Sequence, residues 1–208
     1  YRCWQAKGCK IEQLHLTGDV KADTKADVQF FTRDLTQITM TPGLVDRVPS
    51  FIQGWEAKLY LDNYGATPGT TVVPATMLNW DVTIKNNMGR KYFADNTTAT
   101  GAIVLGELMI QATLTLEGNA SAFAEYGNWD AGTKRLARIE IGNNGAVIGT
   151  STNKAKVWID VPMAWTAVDL TPEDNGTKAY KLSGEYVYDV TNGFGVEITT
   201  FTARATAY

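Results

Sequence analysis

Apolar and polar residues alternate along most of this chain, and that rhythm leaves few folds open to it. Ile110, Ala112, Leu114 and Leu116 alternate with Gln111, Thr113, Thr115 and Glu117, and Trp80, Val82 and Ile84 alternate with Asp81, Thr83 and Lys85. The pattern recurs at Ala57, Leu59 and Leu61, at Ala137, Ile139 and Ile141, and at Val157, Ile159 and Val161. Successive side chains of a strand point to opposite faces, so a period of two buries one face and wets the other. Strands are predicted at 9–18, 25–34, 54–62, 76–86, 107–117, 134–142, 154–161, 178–190 and 194–206. Turn signals separate them: Thr67-Pro68-Gly69, Asn86-Asn87, Asn143-Asn144-Gly145, Asp174-Asn175-Gly176 and Asn192-Gly193. Asn192-Gly193 reads as a hairpin turn with positive φ at both positions. Near the end, Val196 and Ile198 hand over to Phe201, Ala203 and Ala205, which predicts a bulge at Thr199-Thr200.

One short helix is predicted over 120–126, capped by the Asn119 side chain and stopped by Gly127 in the left-handed region. Phe123 and Tyr126 share a face of it. The fold class is therefore mainly β: an antiparallel β-sandwich or partial barrel with one short α-helix packed beside it. At 208 residues the chain reads as a single domain over 1–208. Tyr1 falls in the middle of a strand, so a preceding N-terminal segment is expected.

Composition narrows the function classes. Charged residues make up 20% of the chain and the formal net charge is −3, whereas a nucleic-acid binder would carry a basic patch or stripe. No stretch reaches the roughly 18 apolar residues of a membrane span. Cys3 and Cys9 fit either a small disulfide loop or two free thiols. With His15 they form a trio that lacks the fourth ligand and the spacing of a zinc site. His15 therefore reads as a strand residue on a polar face. Asp19, Asp23 and Asp27 recur every four residues without the glycine and glutamate of a calcium loop, and read as a solvated turn. Acid–base catalysis would have to recruit the single histidine. There is no Gly-x-Ser-x-Gly elbow and no phosphate- or dinucleotide-binding glycine motif. No catalytic, cofactor-binding or metal residue is assigned, and an enzyme is not expected. Trp80 is in phase with the core. Trp158 is out of phase with its strand and is expected to face a partner or an outer helix. Aromatics on a β scaffold can stack sugars, so a carbohydrate-binding β-sandwich using Trp129 and Trp158 is an alternative.

Two long stretches fit no element: 35–53, which contains Pro42, Gly43 and Pro49, and 92–106, which ends in Ile103, Val104 and Leu105. Loops of this length in a compact domain are usually functional or disordered. The apolar end of the second either tucks under its own domain or docks on another subunit.

Certain phrases recur in a particular order. Gly8-Cys9-Lys10-Ile11-Glu12-Gln13-Leu14-His15-Leu16-Thr17-Gly18 is a strand bounded by glycines, and a second polar-alternating strand follows at 26–32. Pro49-Ser50-Phe51-Ile52-Gln53-Gly54-Trp55 leads into the next strand, and Leu78-Asn79-Trp80-Asp81-Val82-Thr83-Ile84-Lys85-Asn86-Asn87 ends in paired asparagines. Gly106-Glu107-Leu108-Met109-Ile110-Gln111-Ala112-Thr113-Leu114-Thr115-Leu116-Glu117 precedes the helix, and 196–205 closes on Thr202-Ala203-Arg204-Ala205. In this order they resemble the tail tube protein (major tail protein) family of long-tailed bacteriophages, whose members usually have more residues before this point.

The resemblance implies a tail-tube-like fold and a homo-oligomeric ring, commonly a hexamer or a trimer of duplicated subunits. It implies stacking of rings into a tube around a tape-measure protein, contacts with tail-end proteins, and a lumen through which DNA leaves without specific binding. The implied location is the virion tail, after assembly in the host cytoplasm, with no cofactor and no membrane partner. A tail terminator or capsid decoration protein is the nearer alternative. A ring needs an interface that closes, and stacked rings need a second one along the axis. Edge strands would supply the first. Long loops would supply the second, through Thr41, Pro42, Leu44, Val45, Pro49 and Phe51, and through Thr98, Thr100, Ile103, Val104 and Leu105. Cations on a lumen wall would hold phosphates, so that wall is expected to be neutral or acidic. Gln111, Thr113, Thr115 and Glu117 are the candidate lumen-facing residues.

Overall fold

The computed structural model describes residues 3–39, 52–94, 101–142, 154–172 and 178–201. In chain order the elements are β1 (Cys3–Lys7), β2 (Lys10–Asp19), β3 (Lys25–Phe31), β4 (Asp34–Ile38), a 3-10 turn (Gly54–Glu56), β5 (Lys58–Asn63), β6 (Met77–Lys85), β7 (Gly89–Lys91), β8 (Ala102–Val104), β9 (Met109–Glu117), α1 (Ala120–Asp130), β10 (Arg135–Ile141), β11 (Lys156–Pro172), β12 (Lys178–Tyr186) and β13 (Glu197–Phe201). The chain is mainly β with one helix among the described residues, and every pairing of described register is antiparallel. The chain divides into two compact units. One comprises Leu16–Lys25, Phe51–Val82 and Ile110–Tyr208, and the other Tyr1–His15, Ala26–Ser50 and Thr83–Met109.

In the larger unit the strands lie in the order β6-β9-β12-β11-β10-β5, with β13 on the remaining stretch of β11. The alternation works as expected. Ile110, Ala112, Leu114 and Leu116 are buried on one face, together with Trp80, Val82, Leu182, Ile159 and Val161. Each fully buried Leu or Ile contributes about 1.5–3 kcal/mol. β10 lies between β5 and β11 and is buried on both faces except at Arg138. Gly18 is needed for packing, because a Cβ there would strike the indole of the buried Trp80.

α1 starts where expected. Asn119 Oδ1 accepts from the backbone N–H groups of Ser121 and Ala122. It runs a turn further than expected, to Asp130, because Gly127 stays helical and the left-handed position falls at Gly132 (φ +63°). β11 corrects the strand predicted at 154–161. Pro162 pairs with Leu136 inside it, and a register shift between Trp165 and Ala167 sets Thr166 aside. The extra residue inverts the alternation and so disguises one long strand as a short one.

Two other expectations fail in the same unit. β13 pairs with β11 in unbroken register, so there is no bulge at Thr199-Thr200. Instead Ile198 and Phe201 lie on opposite faces. The hairpin at Asn192-Gly193 does not form, since β12 ends at Tyr186 and β13 adds to β11. Only Asp189 bridges to Phe194, and of the turn pair only Gly193 has positive φ. The buried Asp189 carboxylate accepts from the backbone N–H groups of Thr191 and Asn192, which winds the chain into a wider turn.

In the smaller unit β3 pairs with β2, and four further strands form two-stranded ribbons. β1 pairs with β4, from Cys3↔Ile38 to Lys7↔Asp34, and β7 pairs with β8. The 35–53 and 92–106 stretches, expected as loops, therefore contain strands. Elements of five and three residues are too short to carry a visible period. Cys3 and Cys9 are free thiols.

Candidate functional site

The polar face of the larger unit is built by the same alternation that makes the core. The β9–β12 register sets Gln111 beside Glu185, Thr113 beside Ser183 and Thr115 beside Lys181. The β12–β11 register continues the face to Asp169 and Thr171, and Asn79 and Asp81 of β6 lie out of phase with buried Trp80 and Val82. Part of this face is hollowed, with about 540 Å³ of space lined by Asp19, Asn79, Asp81, Thr113, Thr115, Thr171 and Lys181. A smaller hollow of about 190 Å³ adjoins Gln111, Thr113, Thr166, Ser183 and Glu185. Three of the four candidate lumen residues, Gln111, Thr113 and Thr115, thus line hollows, and Glu117 extends the row beside Ala179. This stretch of the face carries Asp19, Asp81, Glu117, Asp169 and Glu185 beside Lys181, so its local potential is negative.

A second cluster lies further along the same side of the sheet. Arg138 makes a bidentate pair with Asp160 at 2.6 and 2.7 Å. Those hydrogen bonds raise the guanidinium pKa. Trp158 donates to Glu140 at 2.6 Å, and Arg138 and Lys156 both lie over its ring, at 4.1 and 4.5 Å from the centroid. Phe201 meets it edge-on at 4.5 Å. Trp158 therefore faces its own sheet's cations, where the sequence predicted a partner or an outer helix. A sugar would have to displace those cations to stack on it.

Two carboxylates hold loops. Asp62 accepts from the N–H groups of Gly69, Thr70 and Thr71 and from the Thr70 hydroxyl. Burial pushes its pKa up, but the bonds from Thr70 and Thr71 outweigh this and hold it below the ordinary value. At Asp189 burial is likewise overcome by bonds from Asn192, Thr191 and Gly65. Both groups are fully engaged in structure and offer nothing to a substrate. His15 Nδ1 stands 3.9 Å from Asp27. Among the described residues no group of three or more His, Cys, Asp or Glu could share a metal ion, and no helix is long and apolar enough to cross a membrane.

The smaller unit contrasts sharply with this. Met88 is the one buried residue among its described residues. Trp4, Ile11, Val28, Phe30, Leu35 and Leu105 are all exposed. Of the candidate contact residues, Ile103 and Val104 sit on β8, with Ile103 half-buried and Val104 exposed, and Leu105 follows them, exposed. Thr41, Pro42, Leu44, Val45, Pro49, Phe51, Thr98 and Thr100 lie outside the described residues. Sequence reasoning missed the apolar side chains of β1, β3 and β4. The Val28/Phe30 alternation was the available signal; the segment was read only as a polar-alternating strand.

The likeness to tail tube proteins rests on the strand phrases alone: no family model matches this chain, and no curated protein matches it.

Proposed function

We propose that this chain is a structural subunit of a phage tail tube, which closes into rings with its own copies and stacks as a conduit for DNA. The observation that carries this reading is the smaller unit, which exposes Trp4, Ile11, Val28, Phe30 and Leu35 and buries only Met88 among its described residues. A two-stranded ribbon is marginal in water without something to pack on, and clustered exposed apolar side chains mark an interaction surface. Burying four such side chains would contribute about 6–12 kcal/mol. Association costs about 4–15 kcal/mol. One such contact is therefore marginal, and a closed ring in which each subunit makes two contacts is favoured over a dimer.

The acidic polar face supports the conduit. Duplex DNA carries a dense line of phosphates; on this side of the sheet Arg138 and Lys156 are paired with Asp160 and Glu140, and the remaining stretch, with Asp19, Asp81, Glu117, Asp169 and Glu185 beside Lys181, repels it. The lumen is accordingly assigned to the side that bears Gln111, Thr113, Thr115 and Glu117.

Electron microscopy of the purified chain over a concentration series tests the reading. Stacked rings or tubes are expected, and Trp4→Ser with Leu35→Ser should abolish them while leaving circular dichroism unchanged. A monodisperse monomer throughout would refute it. Assembled wild-type tubes should not retain duplex DNA, whereas tubes of Thr113→Lys, Thr115→Lys should retain it at low salt.

A further inference from the structure

Asn192-Gly193, a hairpin signal in the sequence, is put to a different use in the fold. Both residues lie in the turn wound by Asp189, and that turn is clasped to the 64–66 turn that follows β5. The Tyr64 hydroxyl donates to the Tyr188 carbonyl at 2.6 Å and accepts from the Val190 N–H at 3.3 Å. The Gly65 N–H donates to Asp189 Oδ2 at 3.2 Å. Asn192 bridges the two turns, because its Nδ2 donates both to the Ala66 carbonyl at 3.0 Å and to Asp189 Oδ2 at 2.8 Å. Asp189 Oδ1 accepts from the Thr191 and Asn192 N–H groups. The fully buried carboxylate thus takes four donors, about as many as its lone pairs can accept.

An Asn-Gly pair carries a reaction of its own. The glycine backbone nitrogen gives up its proton and attacks Cγ of the asparagine side chain. The new C–N bond closes a succinimide ring, and the carboxamide nitrogen leaves as ammonia. Water then opens the ring at either carbonyl, which yields aspartate or isoaspartate. Glycine favours the closure because no Cβ obstructs the approach. In the clasp both reacting groups are occupied. The Gly193 N–H donates to the Asp189 carbonyl at 2.7 Å, and Asn192 Nδ2 holds its two acceptors. Ring closure would break all three hydrogen bonds, one at the attacking nitrogen and two at the leaving one.

We propose that Asn192 is a one-way modification site: the closed clasp blocks its deamidation, opening of the clasp permits it, and the product does not close the clasp again. The product carries a carboxylate where Nδ2 stood. The Asp189 carboxylate and the Ala66 carbonyl, both acceptors, then face a third acceptor in place of their shared donor. Asp189 is buried, where a like charge is repelled more strongly than in water. Isoaspartate also lengthens the main chain by one carbon inside the turn. The modification converts a transient opening between β12 and β13 into a permanent one. This inference is independent of the self-assembly reading and holds for a single copy of the chain.

Peptide mapping by mass spectrometry, on dilute full-length protein held at mildly alkaline pH, follows the reaction. Asn192 in the folded chain should deamidate at least about tenfold more slowly than in the same chain unfolded in urea, since the clasp must open first. Tyr64→Phe removes two of the clasp hydrogen bonds and leaves Asp189 and Asn192 in place; it should raise the folded rate severalfold. Asn192→Asp, which reproduces one product, should speed hydrogen exchange of the Gly65 and Gly193 amides by about tenfold or more. Its effect should exceed that of Asn192→Ala, which removes the donors without adding a charge. Equal deamidation in folded and unfolded chains, or a folded rate unmoved by Tyr64→Phe, overturns the protection. Wild-type exchange in Asn192→Asp overturns the one-way step.

Discussion

Removing the carboxylate that fixes the helix should be among the most damaging single changes in the larger unit. In Glu125→Ala, Arg135 loses the carboxylate that accepts from its Nε and pairs with its Nη2, and the Trp165 indole N–H loses its acceptor. Breaking a buried ion pair by deleting one partner costs about 3–5 kcal/mol. Arg135 still donates to Asn63 Oδ1 at 2.7 Å and to the Leu61 carbonyl at 3.1 Å. It is therefore not wholly stranded, which places the loss near the lower end, about 3 kcal/mol. Urea unfolding, followed by tryptophan fluorescence at concentrations below assembly, reads this out. With a slope of about 2 kcal/mol per molar, the midpoint should fall by about 1.5 M. The double variant Glu125→Leu, Arg135→Met removes both charges together and should recover most of the loss. A midpoint shift under about 0.5 M in Glu125→Ala, or a double variant worse than the single, would refute the reasoning.

Gly18→Ala should destabilise by about 1–3 kcal/mol, because the added Cβ collides with the Trp80 indole inside a filled core; thermal melting and near-ultraviolet dichroism check it, and an unchanged melt would contradict the packing. Acid should weaken the larger unit through Asp62 and Asp189, whose folded pKa values are depressed. Their contribution is fully present above the unfolded carboxylate value of about 3.9 and is lost as the pH falls through the lower folded values. Melting temperatures between about pH 2 and pH 6 should fall on the acid side, and Asp62→Asn or Asp189→Asn should flatten that limb.

Much of the larger unit is legible in the sequence because its strands are long and one-sided. Val82, Leu114 and Ile159 alternate with the residues beside them, and a period of two needs only a few repeats to declare itself. The polar face came with it for free: once Leu114 and Leu116 are inside, Thr113 and Thr115 are outside. What was hidden is hidden for physical reasons. In β11, Pro162 and the extra Thr166 break the pattern without breaking the strand, since pairing is decided by neighbours distant in sequence. β1 and β4 pair across some thirty residues, and nothing local announces that Trp4 will lie beside Gln37. The inward turn of Glu125 could not be read either, because it depends on Arg135 and Trp165 arriving from two strands.

The most direct measurement is hydrogen–deuterium exchange of the ribbon amides at two protein concentrations. Segments Cys3–Lys7, Asp34–Ile38 and Ala102–Val104 should exchange nearly freely in dilute protein, where two-stranded ribbons open at little cost. They should become strongly protected once the protein is concentrated, as neighbouring copies cover them, while β9 and β10 stay protected throughout. Equal protection of the ribbons at both concentrations would mean that they need no partner.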